Sequence, residues 1–275
     1  MHHLTSRGDL SIAELIFFSP SLLAALFICT KQGFPPSSGW LYLVLLSILR
    51  LIGASVTLYM ESNNDYSPSL VETVAITSSI GRAPLLLVLL GLLERIYAAV
   101  AGGAFNKSVF RPIHLVGLVA LISAIVGGSM ESRDKGSEQD TGKALRQAGS
   151  VLFLVIYFAL AGLTGLTALR RAYIASTDRK LIIAGCAVLP FLLVRMIYTV
   201  VVSFAHPGSH FYYLAPSARV TAFMMFLMEA ICIVLYSWAG LITPKAVTPP
   251  SQTGRKDLES NGVDLSRHSQ GRVRP

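Results

Sequence analysis

Apolar residues in this chain gather into seven long runs separated by short polar stretches. The runs cover approximately Leu10–Thr30, Gly39–Met60, Ser69–Leu93, Pro112–Ser129, Gly149–Leu169, Leu181–Phe204 and Ser217–Ile242. A helix needs about 20 apolar residues to cross a bilayer, and the runs approach or exceed that length. Lipid offers backbone groups no hydrogen-bond partners, so a run of this kind must close its bonds internally, as a helix. The pattern predicts an all-α, polytopic membrane protein, a seven-helix bundle over residues 10–242. Residues 1–9 form a short extracytoplasmic N-terminus, and residues 243–275, rich in Pro, Ser, Gly and charge, read as a disordered cytoplasmic tail. Pro20, Pro84 and Pro190 fall inside runs and are expected to mark kinks.

Composition sharpens the class. The chain is 53% hydrophobic and 14% charged, against about 25% charged in soluble domains. A net charge of +8 would suggest nucleic acid in a soluble protein, but here it reads as Lys and Arg on cytoplasmic loops. No nucleic-acid partner is expected; the lipid bilayer is the partner. With the N-terminus outside, fourteen Lys and Arg fall on the cytoplasmic side and five on the other, which favours N-out, C-in. Trp40, Tyr42, Tyr97 and Trp238 then belong to an inner aromatic belt, and Tyr59, Tyr212 and Tyr213 to an outer one. The sequon at Asn106 faces the cytosol in this orientation and is expected to stay unmodified. The location is a multi-pass one, in the plasma membrane or an endomembrane. Cys29, Cys186 and Cys232 all lie in apolar runs and predict no disulfide framework.

Charges inside the runs carry the chemistry. Arg50 stands near the middle of the second run, where a charge costs about 2.5–3.5 kcal/mol on insertion scales. The other embedded ionisable residues are Glu14, Glu72, Arg82, Arg195 and Glu229. Alternating helix direction puts Arg50, Arg82, Arg195 and Glu229 near the midplane, and Glu14 and Glu72 in the outer half. Arg50 shares its helix face with Ser47, Gly53, Ala54 and Thr57, a small polar stripe of the kind that faces protein. Arg82 lies with Ser78 and Ser79, Arg195 with Tyr198 and Thr199, and Glu229 with Met225, Cys232 and Tyr236. Glu229 is expected to pair with Arg50 or Arg195, and Glu72 or Glu14 to reach Arg82. One midplane acid against three arginines leaves positive charge for an anionic group, which Arg matches bidentately.

Other signals are weaker. Glu94-Arg95-Ile96-Tyr97 is similar to the acid-Arg-aromatic end of the third helix in G-protein-coupled receptors, but the seventh run lacks their Asn-Pro and Tyr element. His206 and His210 flank Pro207 and Gly208, which breaks metal-ligand spacing on a helix, and Met224, Met225 and Met228 read as packing. No Asp lies inside a run, and only His114 among the histidines approaches one. Neither enzyme chemistry nor a cofactor or metal is therefore expected. A retinal-binding protein needs a lysine where this chain has Glu229.

Ser37-Ser38-Gly39-Trp40 leading through Ser47 and Arg50 to Gly53-Ala54 resembles a fungal family of seven-helix membrane proteins known only as a domain of unknown function. Leu189-Pro190-Phe191-Leu192 with Arg195 and Tyr198 resembles its sixth helix, Met228-Glu229 its seventh and Ala13-Glu14 its first. Arg82 departs from the pattern, where an apolar or small residue is the rule. The resemblance covers roughly residues 10–242 and implies a fold and a membrane location, with no established activity. More distantly, the chain is similar to fungal seven-helix lipid-translocating and stress-resistance proteins. The expectation is a receptor-like or binding bundle with a charged interior for an amphipathic anionic small molecule or lipid. The alternatives are a transporter or lipid translocator, and a structural membrane protein whose ion pairs lock its helices.

Overall fold

The computed structural model describes residues 6–33, 39–100, 110–131, 137–169, 176–205 and 222–243. They are almost wholly helical: α1 (Ser6–Gln32), α2 (Trp40–Asn63), α3 (Pro68–Ile80), α4 (Arg82–Val100), α5 (Phe110–Glu131), α6 (Ser137–Leu169) and α7 (Ser176–Phe204), then a π-helical turn (Ala222–Leu227) leading directly into α8 (Met228–Ile242). Seven spans are long and apolar enough to cross a membrane, with α3 and α4 together forming the third. The expected tail, the sequon at Asn106, the His206–His210 loop, and Tyr212 and Tyr213 lie outside the described residues.

α4 is the axis of the bundle. It packs against α2, α3, α5, α6 and α7. Its sequence is apolar all round, the signature of a helix buried on every side, and Leu85, Val88, Leu89, Leu90, Leu92 and Leu93 are buried. The remaining helices bury one face and present the other outward, as Leu115, Leu118 and Ile122 do on α5 and Ile16, Leu23 and Phe27 on α1. α1 packs on α2 and α8, and α5 packs mainly on α6.

Close backbone approach sets several of these pairings. Gly39, just ahead of α2, has φ 75°, and a Cβ there would stand 2.9 Å from the Val88 carbonyl oxygen of α4. A Cβ on Gly127 of α5 would lie 2.6 Å from the Arg146 amide nitrogen of α6, and one on Gly149 would lie 3.0 Å from the Ala120 carbonyl oxygen. Small residues that bring backbones together are the common cement of membrane helices.

Three local features differ from the sequence pattern. The third run is one span but two helices, parted at Gly81. Pro84 explains the break: its ring excludes the carbonyl of residue i−4, which is Ile80, the last residue of α3. α6 begins at Ser137, well ahead of the apolar run: Glu138, Gln139 and then Lys143 to Ala148 favour helix although they are mostly polar, which a hydrophobicity pattern does not register. Arg146, read from sequence as a loop residue, is consequently a buried helical one. Trp40, assigned to an aromatic belt, is fully buried in the interior instead, its ring against the site of Gly240, whereas Trp238 and Tyr59 are exposed.

A candidate site in a buried charge triad

Arg50 sits mid-α2 on a face that the structure turns inward: Ser47 and Ala54 are buried with it. Its side chain crosses to α8. Nε donates to Glu229 Oε1 at 2.6 Å, and Nη2 donates to Oε2. This two-point contact uses the planar guanidinium fork that carboxylates match. Glu229 is 0% exposed and Arg50 7%, so the pair is taken out of its surroundings almost completely.

Arg195 of α7 completes the arrangement. It is 2% exposed, and its Nε lies 3.8 Å from Glu229 Oε2. Nη1 donates to Thr199 Oγ1 at 3.1 Å, one turn along the same helix. The Arg195 Nε–H has no hydrogen-bond acceptor among the described residues. Glu229 is thus shared unequally: bound tightly by Arg50, and only electrostatically by Arg195. Tyr198 and Cys232 are buried within electrostatic reach of Arg195. The π-helical turn ends just before Met228, so the chain enters Glu229 from a widened helix. Such π-turns recur at functional sites.

Glu14 of α1, half-buried, lies within Coulombic reach of Arg50, Arg195 and Glu229. That brings two carboxylates to two guanidiniums, a closer balance than the sequence suggested. Arg82 is placed differently. It opens α4 at the Gly81 break, is buried, and its Nε donates to the Ser79 carbonyl at 3.2 Å. The Arg50 guanidinium lies over the same break, 3.8 Å at Nε from where a Gly81 Cβ would stand. Glu229's ion-pair partners among the described residues are Arg50 and Arg195, not Arg82. Glu72, half-buried on α3, joins no ion pair among the described residues, so the expected bridge to Arg82 is not made.

A second polar cluster went unread in the sequence. Gln32, buried at the end of α1, donates to the carbonyls of Gly240 (2.9 Å) and Thr243 (2.5 Å) and accepts from Arg95 Nη1 at 2.9 Å. Lys31 Nζ donates to the Leu241 carbonyl. These bonds satisfy the Gly240 and Leu241 carbonyls in the last turn of α8 and that of Thr243 just past it, which no residue of the helix can. They also give Arg95 of the receptor-like tetrapeptide a role as a helix tie. The signal was a polar residue just beyond an apolar run, which hydropathy treats as loop.

Among curated proteins, none matches the chain. The model of the family described as Domain of unknown function (DUF7702) matches residues 4–246, nearly the whole chain and all the helices that build the triad, and the protein belongs to that family.

Proposed function

We propose that the protein is a non-catalytic, multi-pass membrane protein that binds an anionic amphipathic ligand, a lipid or small molecule, in its charged interior. The observation that carries this reading is the Arg195 Nε–H, a charged donor buried without an acceptor and 3.8 Å from the nearest carboxylate oxygen. A buried donor left unmatched costs about 1–3 kcal/mol, more when charged, and an arriving carboxylate or phosphate oxygen would recover it. The widened π-turn beside Glu229 supports the same site. The Lys and Arg distribution supports an N-out, C-in orientation.

A second reading has its own support. Two carboxylates near two guanidiniums are close to neutral, and buried ion pairs can serve only to fix which helices meet. The two readings separate in a thermal-shift titration with decyl phosphate, kept below its micelle concentration. A ligand at one hundred times its Kd adds about 2.7 kcal/mol of stability. The binding reading expects that shift in the native protein and its loss in Arg195→Gln. No shift in the native protein, or an equal shift in both, would leave the triad as a lock.

A further inference from the structure

The flank formed by α4, α5 and α6 holds two cavities that meet at His114 and Leu118. The first, about 290 Å³, is a nearly wholly apolar trunk, with Leu86 and Leu90 on α4, Gly117 and Leu121 on α5, and Ile156 and Leu160 on α6. The second, about 570 Å³, is open, and its mainly apolar wall of Phe110, Leu115 and Leu118 carries the polar side chains of Glu94, Arg111 and His114. His114 Nδ1 lies 3.6 Å from Glu94 Oε1, while Arg111 is exposed and joins no ion pair among the described residues.

Packing explains why the space exists. α5 is clamped to α6 backbone-to-backbone at Gly127 and Gly149. Toward its N-terminal end that clamp is gone: a Cβ on Gly117 would meet nothing nearer than Ile156 Cδ1, at 3.8 Å. α4 and α5 touch only sparsely, so α4 becomes the floor of a groove that α5 and α6 wall.

The dimensions are those of one leaflet. The lining runs from Glu94 to Ala83 on α4 and from Arg111 to Leu121 on α5. At 1.5 Å per residue those stretches are about 15–17 Å long, close to half of a ~30 Å hydrocarbon core. The mouth lies near the end of α4 and the start of α5, so in a bilayer it would sit toward the surface and the apolar trunk would stop near the midplane of those spans.

We infer that this groove holds one membrane phospholipid, an acyl chain lying along the trunk and the phosphate at the Arg111 guanidinium. Arg pairs with phosphate bidentately, and an acyl chain is the apolar partner that a bilayer supplies at that depth. The inference stands apart from the triad, since none of Arg50, Arg195 and Glu229 lines either cavity.

The test is photo-crosslinking in phosphatidylcholine vesicles doped with a phosphatidylcholine carrying a diazirine on one acyl chain, with labelled peptides mapped by mass spectrometry. Labels should concentrate on α4, α5 and α6. Gly117→Leu should cut labelling about tenfold, as a loss of roughly 1.4 kcal/mol of binding would. Gly165→Leu, at a glycine of α6 with nothing within 4 Å of its Cβ, is the matched control and should leave labelling unchanged. Leu121→Phe fills the same trunk from another position and should act like Gly117→Leu, so one misfolded variant does not end the test. Arg111→Gln should lower labelling by the phospholipid but not by a diazirine diacylglycerol, which has no phosphate. Arg195→Gln should change nothing here. Labels spread evenly around the bundle, or equal labelling of Gly117→Leu and Gly165→Leu, would overturn the proposal.

Discussion

Glu229→Gln is the most telling single change in the triad. The amide keeps the shape of the carboxylate and removes its charge. Arg50 and Arg195, 7% and 2% exposed, would then lose the carboxylate that both contact and keep only Glu14, which lies within Coulombic reach but joins neither in an ion pair among the described residues. Removing one partner of a buried ion pair typically costs about 3–5 kcal/mol, most of it the stranded charge. At about 2–4 °C per kcal/mol for a chain near this size, Tm should fall by roughly 6–20 °C. Arg50→Gln should cost less. Glu229 would keep Arg195, whose Nε stands 3.8 Å away and can close on it. The loss would then be nearer the about 1.5–3 kcal/mol of hydrogen bonds to a charged group. The protein carries its own reporters, because Cys29 and Cys232 are buried and Cys186 is exposed. In a Cys186→Ala background in detergent, a fluorogenic maleimide reads unfolding as those two thiols appear. If Arg50→Gln lowered Tm as much as Glu229→Gln or more, Glu229 would not be the shared counter-ion described here.

Further outcomes follow from packing and ties. Gly240→Ala would put a Cβ 2.8 Å from Ile28 Cγ2 and 3.0 Å from Trp40 Cζ3; overpacking of this kind costs about 1–3 kcal/mol, and a Trp40→Phe partner change should recover part of the lost Tm. Gln32→Leu removes the ties from α1 to Arg95 and to the Gly240 and Thr243 carbonyls, with an expected loss of about 1–3 kcal/mol in the same thiol assay. Gly127→Ala meets backbone atoms of α6 within 3.0 Å and should loosen α5 from α6, seen as a lower Tm, whereas Gly162→Ala, with open space around it, should be near neutral. In the N-out orientation a reporter fused at the C-terminus should be protected from protease in sealed right-side-out vesicles; its cleavage there would reverse the topology.

Much of the fold was legible because membrane insertion writes itself into sequence as length and hydropathy. The seven runs come from length and hydropathy, the inward face of Arg50 from small and polar residues at helical spacing, and the Glu229 pairing from the cost of burying charge. What hydropathy does not encode is helix that continues in polar residues, as at Ser137–Ser150 of α6, and polar side chains that tie helix ends, as at Gln32. The Pro84 break was visible as a proline; that it severs Ile80 from Arg82 depends on the neighbours supplied in three dimensions. The charge surplus read from sequence set Glu229 alone against Arg50, Arg82 and Arg195. The structure gives Arg82 the Ser79 carbonyl and sets Glu14 within reach of the triad, so the case for a ligand now rests on one geometric fact, the unmet donor of Arg195. The groove beside α5 was not legible at all, because it arises from where α5 stops touching α4.

Native mass spectrometry of the purified protein tests the central claim most directly. The native chain should carry an anionic amphiphile that persists in Gly117→Leu, where the groove is filled, and disappears in Arg195→Gln. A native spectrum without any adduct, or the same adduct in Arg195→Gln, would contradict a ligand site at the triad.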